Sequence, residues 1–328
     1  PMPIEPVRQA DPSEIPVIDL SALIDGDADA KRRVSAEIVH AAENTGFFYA
    51  ANHGVPQELV DGVFATAASF FALPAEEKLK IGLETSTCYR GYLPLDSKGS
   101  DPRQRNFLEA FQMGEERPEG DPEAPAGKTL AGPNQWPNQP SNAKDVMLAY
   151  HAAMGDLANR LHRAFAIGID FPEDYFLRYY KNALNQLRLL HYPPPPEDLD
   201  DGVMGARIHS DTGSFTILLQ DTNGGLEVEA RSGEWIAATP IEGTFVINIG
   251  DMLENWTNGR FISIKHRVVN RSGAERYSIP YFLNPDYDAV VEPFPEFVSP
   301  DNPPRFDPVH VGDFLSHRFD SIWPRKAI

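Results

Sequence analysis

The chain has 328 residues, 41% of them apolar, enough to bury a substantial core and too many for a disordered polymer. Its 29 basic and 48 acidic residues leave a formal charge of -19, which excludes a phosphate backbone or an anionic membrane surface as the main partner. The only cysteine, Cys88, can form neither an intramolecular disulfide nor a thiolate cluster, so any chemistry must use other side chains.

Pro1 to Ile15 lacks the basic and then apolar regions of a secretion signal, and no later apolar run approaches the ~18 residues of a spanning helix. A cytoplasmic protein is expected, in which the glycosylation sequons beginning at Asn255 and Asn270 are chance matches. Ile15 to Asp19 reads as a short strand, and Asp29 to Asn44 carries apolar residues at helical spacing before a stop at Gly46. Phe47 to Ala51 reads as an aromatic strand. Pro56 opens a second amphipathic helix reaching Leu73, and Pro74 begins a further turn. Glu109 and Phe111 fall on another predicted strand. Residues 113–142 are dense in Pro, Gly and charge without periodicity, and read as a long surface loop of the kind that serves as a lid or binding segment. Ala143 to Ile169 has apolar residues at three- and four-residue intervals, the mark of a long helix packed on one face.

From Leu184 the texture changes to short β-rich runs: Leu184–Tyr192, Phe215–Gln220, Leu226–Glu229, Phe245–Ile249, His266–Asn270 and Tyr277–Leu283. Thr222-Asn223-Gly224-Gly225 reads as a hairpin turn and Arg231-Ser232-Gly233 as another, while Pro193 to Pro196 cannot continue a ladder. The expected fold is α+β, a double-stranded β-helix or jelly roll flanked by helices. One domain over residues 1–328 is expected: a mainly helical layer over 1–183, the jelly-roll core over 184–284, and a C-terminal extension over 285–328.

His209-Ser210-Asp211 precedes a strand and His266 begins another. Residues i and i+2 of a strand share a face, so His209 and Asp211 can meet one ion while Ser210 points away. Two imidazoles and one carboxylate on one side of a metal leave three positions open, which suits Fe(II) oxygen chemistry. A His-x-Asp triplet also arises by chance, and packing is the ordinary role of His. A second constellation, Arg276-Tyr277-Ser278, stands ten residues past His266 on the next strand. Arg276 and Ser278 again share a face, and a guanidinium fork with a hydroxyl beside it can grip the far end of a dicarboxylate. The plain alternative for Arg276 is a surface salt bridge.

In order along the chain, Ile15-Pro16-Val17-Ile18-Asp19, Gly46-Phe47-Phe48, Asn52-His53-Gly54-Val55, Tyr192-Pro193-Pro194, His209-Ser210-Asp211, Gly224-Gly225-Leu226, Asn248-Ile249-Gly250-Asp251, His266-Arg267-Val268 and Arg276-Tyr277-Ser278 resemble the signatures of the isopenicillin N synthase-like 2-oxoglutarate/Fe(II) oxygenases. That resemblance implies that His209, Asp211 and His266 bind iron. It implies that Arg276 and Ser278 hold the distal carboxylate of 2-oxoglutarate with a hydroxyl contact from Tyr192, and that Leu190 stands where the family often has Asn. The implied cofactors are Fe(II), 2-oxoglutarate and O2. The implied reaction is hydroxylation of an unactivated C–H bond of a small molecule, with release of succinate and CO2.

Strand alternation from Tyr192 puts Leu190, Arg188 and Gln186 on the same inward face, where an Arg must be paired or must grip a substrate carboxylate, carbonyl or heterocycle. The stretch Leu187 to Pro193 resembles thymine 7-hydroxylase-type members, and Phe282 matches an aromatic of their pocket, whereas Thr212 replaces their Tyr. Glu109 and Phe111 match positions where relatives line the substrate pocket. His53 and His191 are expected to pack. Competing readings are an oxidative cyclase or desaturase, with or without 2-oxoglutarate, a catalytically silent metal-binding jelly roll, and a zinc hydrolase. No nucleic-acid polymer or membrane is expected as a partner.

Overall fold

The computed structural model describes residues 7–95, 106–118, 130–196 and 204–322. In chain order its strands are β1 (Arg8–Gln9), β2 (Val17–Asp19), β3 (Phe47–Ala51), β4 (Gly91–Leu93), β5 (Glu109–Gly114), β6 (Gln186–Tyr192), β7 (Ala206–His209), β8 (Phe215–Gln220), β9 (Leu226–Glu229), β10 (Trp235–Ala237), β11 (Thr244–Ile249), β12 (His266–Val268), β13 (Arg276–Phe282), β14 (Val290–Val291) and β15 (Val309–His310). Its helices are α1 (Ala22–Asp25), α2 (Ala28–Asn44), α3 (Gln57–Phe71), α4 (Ala75–Leu79), α5 (Ala143–Gly168), α6 (Asp251–Trp256) and α7 (Val311–Ile322).

Local chemistry explains the boundaries. The Asp27 carboxylate accepts the Ala30 N–H at 2.7 Å and caps α2. The helix ends before Gly46, whose φ of 65° is one that L side chains avoid and whose added Cβ would lie 2.6 Å from the Ile262 carbonyl oxygen. On α5, Met147, Tyr150, Met154, Leu157, Leu161 and Phe165 repeat at three and four residues, and all are buried. Each such side chain contributes roughly 1.5–3 kcal/mol by leaving water, so this stripe seats α5 against α2 and α3.

The strands form an eight-stranded sheet, β2-β3-β11-β8-β13-β6-β5-β4, and a five-stranded sheet, β1-β10-β9-β12-β7. From β7 to β13 the chain crosses repeatedly between the two, the winding of a jelly roll. Period-two alternation gives the large sheet two unlike faces. Phe48, Phe111, Leu187, Leu189, Ile217 and Ile279 point outward into one apolar core with the helices. The opposite face looks across at the small sheet, where Phe47, Tyr49, Val228 and Val246 close one end with a second apolar cluster.

Most expected strands stand within a residue or two of their predicted limits. The hairpin expected at Thr222–Gly225 is not one: β8 and β9 lie in different sheets, and β9 pairs with β10 and β12. Gly224 and Gly225 both adopt positive φ, 72° and 100°, so the turn composition is right while the chain is carried from one sheet to the other. Arg231–Gly233 does close the β9–β10 hairpin. Of the expected loop 113–142, β5 takes the first two residues, 130–142 is irregular, and 119–129 lie outside the described residues. The mainly helical layer also supplies β2, β3, β4 and β5 to the large sheet.

Candidate metal centre

His209 closes β7 and His266 opens β12, and the two are direct partners across the ladder. Asp211 follows His209 by two residues in the turn into β8. Each of the three offers a ligand atom, and these atoms lie within 4.8 Å of one another. The His209 and His266 Nε2 atoms are each 3.7 Å from Asp211 Oδ1, and their ring centroids are 4.3 Å apart.

The surroundings aim these atoms. His209 Nδ1 lies 2.6 Å from the Arg207 carbonyl and His266 Nδ1 lies 3.2 Å from the Ile264 carbonyl. With Nδ1–H donating there, each Nε2 lone pair faces the other ligands. Asp211 Oδ2 accepts hydrogen bonds from Thr216 Oγ1 at 2.6 Å and Asn248 Nδ2 at 2.8 Å, which turns Oδ1 toward the imidazoles. Burial opposes ionisation of Asp211, but the two imidazoles and those hydrogen bonds hold its carboxyl below the usual range. Burial pulls His209 down to about 4, with His266 adding to it, so at neutral pH the cluster is a carboxylate beside a neutral imidazole. That donor set fits a borderline divalent cation such as Fe(II).

Arg276, 1% exposed, sits on β13 directly opposite Tyr192 of β6. Its Nε donates to the Gly224 carbonyl, its Nη1 donates to Ser278 Oγ at 3.1 Å, and its guanidinium lies 4.7 Å from the Tyr192 ring centre. Nη2 is buried without a hydrogen-bond partner. A buried cationic donor left unpaired is costly, and a ligand carboxylate is the group that removes the cost. The surface salt bridge set against Arg276 is therefore not what the structure contains.

Metal cluster and Arg276 open into one cavity of about 920 Å³ between the two sheets. Gln186, Arg188, Leu190 and Tyr192 all line it, as strand alternation requires, together with Thr212 and Phe282. Arg188 is half-buried; its Nε donates to Gln112 Oε1 at 2.6 Å and its guanidinium lies 5.2 Å from the Phe282 ring centre. The Thr212 hydroxyl is buried without a partner.

The model of the 2OG-Fe(II) oxygenase superfamily matches residues 179–285, and that of the non-haem dioxygenase in morphine synthesis N-terminal region matches residues 15–139. The 2-oxoglutarate-Fe(II) type oxidoreductase hxnY of Emericella nidulans is 33% identical over 323 residues, 96% of this chain and 92% of the relative. The chain belongs to the 2OG-Fe(II) oxygenase superfamily. It is a non-heme oxygenase whose cofactors are Fe(II), 2-oxoglutarate and O2. Among solved structures, a full-length Neurospora crassa protein in complex with α-ketoglutarate superimposes with a TM-score of 0.84 at 32% identity, covering 94% of this chain and 96% of that one. JOX2 in complex with 2OG, Fe and JA gives 0.76 at 29% identity, covering 96% and 88%.

Two expected pocket residues of this oxygenase lie elsewhere. Glu109 and Phe111 point away from the cavity because β5 pairs with β6 so that Ala110 faces Leu190 and Gln112 faces Arg188. Phe111 packs against Phe70 of α3. The Glu109 carboxylate accepts hydrogen bonds from Lys78 Nζ at 2.7 Å and Tyr92 Oη at 2.5 Å and lies 2.7 Å from His191 Nδ1. Burial works against it, yet His191, Lys78 and Tyr92 hold Glu109 below its usual value. As expected, His191 packs, stacked on Tyr277, and His53 does too, accepting the Val55 N–H in a turn. Sequence reasoning missed Thr216, Asn248, Gln112 and Arg318. Strand pairing sets the first three in place, Asn248 opposite Thr216 and Gln112 opposite Arg188, and no local spacing signals it; Arg318, on α7, carried no motif.

Proposed function

We propose that His209, Asp211 and His266 hold the Fe(II), that Arg276 and Ser278 with Tyr192 hold the distal carboxylate of 2-oxoglutarate, and that the enzyme hydroxylates an unactivated C–H bond of a small molecule. The observation that carries this reading is the orphaned Nη2 of Arg276 in the same cavity as the three convergent ligand atoms. When bound, Fe(II) supplies the oxidising chemistry that couples 2-oxoglutarate and O2 to the target C–H bond, giving succinate, CO2 and an alcohol.

The chain's own residues position and shield. Thr216 and Asn248 hold one oxygen of Asp211 so that the other stays available, and the backbone carbonyls of Arg207 and Ile264 keep both imidazoles in one tautomer. The Arg276 guanidinium, buried against the Tyr192 ring, gives a dicarboxylate one orientation. Cavity walls exclude water and hold the C–H bond near the centre. Arg188, Phe282 and Thr212 are the substrate contacts in this reading. No nucleic-acid polymer or membrane is a partner, a view supported by the charge of -19 and by a reactive centre recessed between two sheets. A cytoplasmic location fits the supply of 2-oxoglutarate.

Turnover under 18O2 tests the reaction type. One labelled oxygen in succinate and one in a hydroxylated product are expected; label in succinate with an unlabelled cyclised or desaturated product contradicts hydroxylation.

A further inference from the structure

A second cavity, of about 520 Å³, opens near the end of β5 and shares none of its described lining residues with the cavity that holds the metal cluster. Leu184 lines it, two residues before Gln186 of β6 lines the other. Among its described lining residues Arg90, 2% exposed, is the one buried cation. Its Nη2 donates to the Leu130 carbonyl at 3.1 Å, while Nε and Nη1 are buried without a hydrogen-bond partner.

The guanidinium is held where it is. It packs against Gly114, where an added Cβ would collide with it, and the Asn134 side chain pins Gly114 by bonding both its N–H and its carbonyl at 2.9 Å. The Arg90 main chain is fixed as well: its N–H donates to Ser86 Oγ at 2.9 Å and its carbonyl accepts Gln135 Nε2–H at 2.8 Å. Neighbouring groups do not complete it. Cys88 lies beside it, but a thiol is a weak acceptor and this one donates to the Pro133 carbonyl at 3.4 Å. Glu115 and Glu116 attract it through space, and the Glu116 oxygens are taken by Asn134, Trp136 and Lys144. Burial pulls the Arg90 pKa below its ordinary value, yet a guanidinium keeps its proton in a protein, so the charge stays. A buried cation with two idle nitrogens is costly, and an anion entering the cavity removes the cost.

The rest of the lining selects the anion. Leu130, Leu184, Val290 and the rings of Tyr179 and Tyr287 give an apolar wall. Arg117, Arg178 and Lys181 also line the cavity, but so do the carboxylates Glu115, Asp286 and Asp288, all more exposed than Arg90. Those carboxylates repel a dianion such as phosphate more than a single negative charge. We propose that this cavity is a second ligand site, which takes a small monocarboxylate with an apolar or aromatic body and pairs its carboxylate with Arg90.

The test titrates the full chain, loaded anaerobically with Fe(II) and 2-oxoglutarate, with 4-bromobenzoate, 4-bromobenzamide and inorganic phosphate by calorimetry. The acid is expected to bind roughly ten- to a hundredfold more tightly than the amide, and more tightly than phosphate. Arg90→Met, which replaces the unpaired cation with an apolar chain of similar reach, is expected to erase that preference without lowering the melting temperature. Ala131→Trp, which fills the cavity and leaves Arg90 in place, is expected to abolish the binding and covers the case in which Arg90→Met does not fold. Crystals soaked in 4-bromobenzoate are expected to show the anomalous bromine signal in the cavity lined by Arg90, Leu184 and Val290. Bromine in the metal cavity alone, no binding of the acid, tighter binding of phosphate, or an acid preference that survives in Arg90→Met or Ala131→Trp would overturn the proposal.

Discussion

Strand β6 separates two ways of keeping polar groups inside a protein. On its outer side His191 joins Glu109, Lys78 and Tyr92 in a buried network whose carboxylate takes three partners at 2.5 to 2.7 Å. On its inner side Arg188 and Tyr192 face a cavity where Arg276 Nη2 and Thr212 Oγ1 are buried without partners. The outer face surrounds its carboxylate with three internal partners, leaving only His191 Nε2 of that network without a hydrogen bond, and contributes to stability; the inner face leaves donors open toward the cavity. Alternate residues of one strand serve the two ends.

Substitutions should therefore divide by face. The largest effect is expected at the ligands: His266→Ala or Asp211→Ala lowers Fe(II)-dependent succinate formation on the order of a thousandfold or more while the melting temperature of the metal-free protein changes little. Next is Glu109→Ala on the outer face, which strands the Lys78 cation and costs about 3–5 kcal/mol of stability in denaturant unfolding, with the affinity for 2-oxoglutarate unchanged. Its pH dependence has a definite sign. Glu109 has a folded pKa below its ordinary value of 4.5, so its contribution is fully present above that value and is lost as the pH falls through the lower folded pKa. Wild type should lose stability in that acidic window more steeply than Glu109→Gln.

Arg276→Lys, on the inner face, is expected to raise the KM for 2-oxoglutarate by roughly ten- to a hundredfold and to leave unfolding nearly unaltered, because an ammonium cannot reproduce the fork. The smallest effect is at Thr212→Val. Removing a hydroxyl that has no internal partner should leave stability within about 0.5 kcal/mol; a loss above about 1 kcal/mol would show a satisfied group there and break the contrast between the faces.

The division between what could and could not be read from the sequence follows from range. Helices α2, α3 and α5 and most strands were legible because capping residues, glycine stops and apolar spacing act over a few residues. The metal cluster was legible because His209 and Asp211 are two residues apart and His266 opens its own strand. The turn at Gly224 and Gly225 was misread because the same residue types close a hairpin or carry the chain between sheets, and only strand pairing decides which. Glu109 and Phe111 were assigned to the wrong face for the same reason, since a one-residue choice of register exchanges every side chain across a sheet. Arg318 gave no signal because its place in the cavity wall depends on where α7 docks, a contact between residues 89 and 320.

The most direct test of the central claim, that two imidazoles and one carboxylate grip the iron, is the visible spectrum of the anaerobic protein with Fe(II) and 2-oxoglutarate. A weak charge-transfer band is expected in the wild type and is expected to vanish in folded His209→Ala. A band that persists in His209→Ala would contradict the ligand assignment.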